Sequence, residues 1–178
     1  MEATFPRNSA HLRERVRHRG FGKRDAAALA IFLGGSLLAS LLGASSGGSD
    51  SWYWYAALNK PPWTPPGWLF GPVWTLLYVA MAVAAFLVWR TRGGFNGARR
   101  ELGLYAVQLA LNAAWSPLFF GAHRPGLALF DIGLLWLVLA VLVPLFFRVR
   151  RAAGLLMVPY LAWVTFASAL NLSIVLRN

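Results

Sequence analysis

Trp68-Leu-Phe-Gly-Pro-Val-Trp-Thr-Leu-Leu-Tyr-Val-Ala-Met-Ala-Val-Ala-Ala-Phe-Leu-Val-Trp89 contains no charged residue, and the nearest charges are Lys60 before it and Arg90 after it. A helix that crosses a membrane needs about 20 mostly apolar residues, and this run is long enough. The rest of the chain agrees with it. Of its 178 residues, 58% are hydrophobic and only 13% charged, about half the charged share typical of soluble domains. A small soluble fold keeps too much surface to hide that much apolar material. Disorder is excluded too, because it requires few aromatics and little hydrophobicity.

Working outward, four more apolar windows stand out: Ala26 to Ala44, Leu102 to Gly121, Pro125 to Phe147 and Ala152 to Leu176. The expected fold class is an all-α membrane protein, a five-transmembrane-helix bundle. Residues 1–24 form a basic N-terminal segment and residues 25–178 the membrane domain. Short linkers between the last four windows make antiparallel neighbours. Pro72 is expected in the first turns of its helix. Pro117, Pro144 and Pro159 are expected to kink theirs or to fall near an end.

The net charge of +11 sits in clusters between the apolar runs. This pattern indicates membrane topology rather than nucleic-acid binding, which needs charge on a wettable folded surface. With five spans, the first segment, the second loop and the fourth loop share one side. They hold 14 of the 17 Lys and Arg, leaving Lys60, Arg124 and Arg177 opposite. The positive-inside rule then puts the N-terminus inside and the C-terminus outside. The basic first segment reads as a topogenic, lipid-binding stretch. An organelle transit segment and the n-region of a signal peptide are the other readings.

Residues 45–67 differ from everything else. Trp52-Tyr-Trp-Tyr55 suits an aromatic belt at the headgroup level. Pro61, Pro62, Pro65 and Pro66 then stiffen a segment carrying Trp63 and leading to Trp68. That segment reads equally as a lid over a cavity, since a proline-stiffened loop loses little entropy on ordering.

Three stripes lie at helical spacing. Phe70, Trp74 and Tyr78 share one face; so do Gln108, Asn112, Trp115 and Phe119, and so do Tyr160, Trp163, Ala167 and Asn171. Each alone reads as helix packing. Together they converge beneath the proline-rich loop. Gln108, Asn112 and Asn171 need polar partners and so should face the interior or a cavity. An aromatic-walled hollow with a few amides suits a flat, apolar ligand with a polar edge. Asp131 is the one acid deep in a span, with Arg124 nearby to relieve it by pairing or snorkelling. Ala106, Ala110 and Ala114 permit close helix approach, within the chain or in a homodimer.

No enzymatic constellation stands out. His11, His18 and His123 are too scattered for a metal site, and the chain has no cysteine. No nucleotide loop, nucleophile elbow or zinc-protease motif is found, so no obligatory cofactor and no metal are expected.

The run from Asn59 to Tyr78 resembles the signature of the TspO/MBR family, the translocator proteins also called peripheral benzodiazepine receptors. So do Leu102 to Gly121, and Val158 to Ala167 followed by Leu170-Asn171. The resemblance covers about residues 26–178. It implies a five-helix bundle that binds porphyrin, haem and synthetic isoquinoline or benzodiazepine ligands beneath the first loop. Trp74 and Trp163 match pocket tryptophans that in some members are implicated in light- and oxygen-dependent protoporphyrin breakdown. Trp63, Phe70, Tyr78, Asn112, Phe119 and Ala167 match other pocket positions. Family members also bind sterols, but the sterol consensus has a Tyr where this chain has Leu172. The expected ligand is therefore a porphyrin or haem in a bacterial cell membrane, a setting suggested by the lack of a longer tail. The alternatives are a photo-oxidative porphyrin-degrading enzyme using Trp74 and Trp163, and a sterol or porphyrin transporter.

Overall fold

The computed structural model describes residues 20–46 and 48–178; most of the basic segment expected over residues 1–24 lies outside them. The described residues form helices Lys23–Ala44 (α1), Ser49–Ala57 (α2), Phe70–Thr91 (α3), Arg99–Ser116 (α4), Pro125–Val149 (α5) and Arg151–Arg177 (α6). A 3-10 turn, Gly67–Leu69, leads into α3, and a π-helical stretch, Pro117–Gly121, extends α4. No strand occurs among the described residues.

Four segments are long and apolar enough to cross a membrane: Lys23–Ala44, Gly67–Thr91, Pro125–Val149 and Arg151–Arg177. The expected count of five is thus met only in part. Helix α4 has the length but opens on Arg99, Arg100 and Glu101, and its middle carries Gln108 and Asn112. Its polarity sets it apart, although it occupies a full place in the bundle. Helix α1 packs on α3, α3 on α6, α6 on α5, α5 on α4 and α4 back on α1, so the five long helices close a ring.

Small residues make that ring tight. Ala82, Ala84 and Ala85 of α3 are fully buried, with Met81 and Val88 beside them and Leu139, Leu142, Phe146 and Met157 in the same core. Short side chains let backbones approach, which favours helix association where lipid tails remove the hydrophobic drive. The outside is apolar as well: Leu37, Leu38, Leu76, Phe130 and Leu137 are all exposed. Such a surface suits hydrocarbon.

Helix ends define two poles. At the basic pole, Asp25 accepts the Gly22 backbone N–H at 3.0 Å and lies 3.7 Å from the Arg90 guanidinium. Arg24 sits 5.4 Å above the Trp89 ring. The α5–α6 turn closes so tightly that a β-carbon at Gly154 would strike the Phe147 ring. At the other pole, α2 and the proline segment bridge α1 to α3. Pro72 lies in the first turn of α3 and Pro117 opens the π stretch, while Pro144 and Pro159 lie inside their helices.

Candidate functional site

The interior polar groups form one hydrogen-bonded chain across the middle of the ring. Tyr78 of α3 donates its hydroxyl to Asn112 Oδ1 of α4. The Asn112 amide donates to the Tyr160 hydroxyl of α6 at 2.9 Å, and Tyr160 donates to Gln108 Oε1 at 3.0 Å. Gln108 and Tyr160 are fully buried. The two amides therefore face inward, as their cost in hydrocarbon requires. Gln108 Nε2 is buried without a partner.

On the loop side of this chain lies an aromatic group from α3 and α6. Trp74 contacts Tyr78, Tyr160 and Trp163, with ring centroids 5.6, 6.3 and 6.5 Å apart. Phe70 meets Trp163 edge-on at 5.7 Å. Such offset and edge-to-face geometries are the favoured ones for ring pairs. Trp163 Nε1 is buried and makes no hydrogen bond, an uncommon state for an indole. Ala167 packs against the same core with the small volume its place in the stripe implies.

A second aromatic group lies toward α2. Trp115 stacks on Phe119 at 4.9 Å, and Phe119 meets Trp54 and Tyr55 of α2 at 5.6 and 6.2 Å. Trp54 in turn stacks on His123 at 4.4 Å. Burial in this group pushes the Tyr55 hydroxyl above its ordinary pKa. Asn171 belongs here: its oxygen accepts from Trp115 Nε1 at 3.1 Å, and its amide donates to the Pro125 carbonyl at 2.9 Å. It ties α4 and α5 to α6 rather than facing a void.

The sequence leads one to expect a hollow beneath the loop, and the rings expected to wall it meet as two contacting groups. Within each group the rings touch edge to face or stacked, the geometries in which aromatic contacts are favourable. A groove of about 500 Å³ opens on the flank of the bundle, between α3 and α6. Trp163 and Phe166 line it, with Val73, Leu77 and Pro159. Trp163 belongs to both the aromatic group and the groove, and it packs on Phe166 of the groove at 5.5 Å. Trp63 of the proline loop is half exposed and meets Phe166 edge-on at 5.8 Å, so the loop reaches the groove's rim.

The loop itself is pinned. Lys60 donates to the carbonyls of Tyr55, Ala56 and Leu58 at 2.6, 3.2 and 3.1 Å, capping the end of α2. The Asn59 N–H donates to Asn178 Oδ1 at 3.0 Å, and the Asn178 amide returns a bond to the Asn59 carbonyl at 3.2 Å.

Tyr160, placed in the α6 stripe by its spacing, is a hub of the site, and Phe166 is a groove residue that the stripes do not include. Phe166 follows Trp163 by three residues and carries no polar mark. Asp131 is buried, and its Oδ2 has no hydrogen-bond partner among the described residues; of the two reliefs the sequence offers it, pairing with Arg124 is not formed there. Ala106 and Ala110 are exposed, Ala114 is partly buried, and Leu172 is exposed. No group of three metal-binding side chains occurs among the described residues.

The TspO/MBR family profile matches residues 27–177. The translocator protein of Bos taurus is 46% identical over 143 residues, covering 78% of this chain and 85% of that protein. The tryptophan-rich protein TspO of Chlorobaculum tepidum is 47% identical over 128 residues, 72% and 80% of the two chains. A tryptophan-rich sensory protein of Cereibacter sphaeroides is 44% identical over 118 residues, 66% and 72% of the two chains.

Proposed function

This chain belongs to the TspO/MBR family, and from that premise we propose that it is a membrane receptor for porphyrins and related tetrapyrroles such as haem and protoporphyrin IX. The observation that carries the reading is the side chain shared by two features: Trp163 borders the flank groove and also packs on Trp74 and Phe70. A flat macrocycle arriving from the lipid would meet the groove first. It would then take the place of ring-on-ring contacts between Trp74 and Trp163, which stand edge to face, stacking a face on one indole and meeting the other at its edge. The unpartnered Trp163 Nε1 offers a donor to a polar edge. The Tyr78–Asn112–Tyr160–Gln108 chain forms a fixed polar floor beneath. Trp63 closes over the rim, and Phe119 with Trp115 backs the second wall.

Helix α4 is the fifth span in this reading. It stands in the ring between α1 and α5, where its amides are shielded. The arginine-rich pole faces inward to the cell and the proline loop outward, by charge asymmetry. The name of the Cereibacter relative refers to a sensory role, and regulation of tetrapyrrole handling fits it better than bulk transport does.

The experiment is a titration of the purified protein with protoporphyrin IX, followed by the shift of its main absorbance band. Trp74→Ala and Trp163→Ala should each weaken binding about tenfold, the loss of one aromatic contact with its buried area. Unchanged curves in both variants would remove the assignment. The second reading is a photo-oxidative variant of the same site, using Trp74 and Trp163, which lie in contact. In that case, illumination in oxygen would change the bound pigment's spectrum in the wild type but not in Trp74→Phe.

A further inference from the structure

The pole opposite the aromatic site carries a cavity of about 480 Å³, lined by Arg92, Arg99, Arg100 and Arg148 with Glu101 and Leu145. We propose that this cleft is a specific site for the phosphate of an anionic phospholipid.

Four arginines converge on it against a single carboxylate, and that carboxylate is already engaged. Buried Glu101 accepts Arg92 Nη2 at 2.7 Å and Nε at 3.2 Å. Arg92 is thereby oriented, while Arg99, Arg100 and Arg148 make no hydrogen bond or ion pair among the described residues. Three guanidinium groups without carboxylate partners form a donor set suited to phosphate oxygens, which guanidinium binds in forked pairs.

The backbone is shaped to hold the cleft. The chain between α3 and α4 turns through Gly93 and Gly94 at φ of 78° and 136°. A β-carbon at Gly97 would strike the Arg92 carbonyl. The turn therefore brings Arg92 and the start of α4 together, and α5 delivers Arg148 from the facing helix. These elements belong to three parts of the chain, so plain juxtamembrane clustering does not account for the arrangement.

The surface leaving the cleft selects a lipid over a free anion. Leu145, Val141 and Leu137 precede Arg148 at steps of three and four residues, on one face of α5. Val141 and Leu137 are more than half exposed. An apolar track thus descends from the arginines toward the bundle's middle, fitted to an acyl chain whose phosphate stays above. Basic pockets between helices at this depth are where anionic headgroups bind.

The test uses the full chain in nonionic detergent, with thermal stability read against added lipid. Phosphatidylglycerol should raise the melting temperature saturably, and phosphatidylcholine and inorganic phosphate should not at equal concentration. Arg99→Gln and Arg148→Gln should each raise the half-saturating phosphatidylglycerol concentration about fivefold, the effect of one cation at a lipid surface. Both side chains are without hydrogen-bond or ion-pair partners among the described residues, so their loss should leave the fold intact. Lys23→Gln and Arg151→Gln, which remove the same charge at the same pole outside the cleft, should change it less than twofold. The proposal is overturned by equal losses in all four variants, by equal stabilisation with phosphatidylcholine, or by inorganic phosphate matching the lipid.

Discussion

Tyr160 shows how one side chain holds the site in register. It receives the Asn112 amide, donates to Gln108 and touches Trp74, so it joins α4 and α6 and supports the pocket wall. Tyr160→Phe would strand two buried amides at once. The expected loss is about 1–3 kcal/mol of stability, checked by thermal unfolding in detergent, with the porphyrin band shift retained but weaker. Substituting Leu172, exposed on α6, should leave melting within error. The stripes at four-residue spacing correctly marked Gln108 and Asn112 as inward-facing, because amides in hydrocarbon have few other options. The same logic turns Asn171 inward, where protein groups satisfy it and it serves as a helix tie. Sequence reports that an amide must be satisfied, and it does not say whether protein or ligand does so. Phe166 left no signal at all, since a phenylalanine in a span is equally at home facing lipid, core or groove.

Among the elements, α2 and the proline loop are held by a few specific hydrogen bonds. They carry exposed Trp52 and Trp68, and they are fastened by Lys60 on the α2 carbonyls and by the Asn59–Asn178 pair. Lys60→Met removes a cation from a helix C-terminus, worth about 0.3–1 kcal/mol there. The expected outcome is faster proteolytic cutting between residues 57 and 67, with little change in overall melting. Asn178→Ala should act in the same direction, and in a stopped-flow experiment it should speed porphyrin association. Prolines announced the loop's stiffness, but the pins on it are long-range: Asn178 lies 119 residues from Asn59. Helix α4 shows a related limit. Its window is visible by length, while hydropathy alone sets it outside the four clear spans because its charges gather at one end. Only its place between α1 and α5 makes it a full member of the bundle.

At the scale of the molecule, the ring of long helices separates two chemistries. One pole gathers aromatic rings over a polar floor, and the other gathers arginines. Charge asymmetry made that polarity legible before any coordinates, since 14 of 17 basic residues fall in alternating segments. Because the chain has no cysteine, single cysteines can map it cleanly. In intact cells a membrane-impermeant maleimide should label Thr64→Cys and spare Asn96→Cys; the reverse pattern would invert the topology. What sequence could not supply was the pairing of the rings, two contacting aromatic groups with a groove on the flank between α3 and α6. Ring packing depends on how three helices tilt against each other, and spacing along one helix carries no record of that. The central claim is that a tetrapyrrole binds between Trp74 and Trp163, reached along the groove. The direct measurement is photo-crosslinking of bound protoporphyrin IX followed by peptide mapping. Adducts should fall on the segments holding Trp74, Trp163 or Phe166, and excess unlabelled haem should suppress them. Adducts spread over lipid-facing positions such as Trp136 and Phe130, undiminished by haem, would contradict the account.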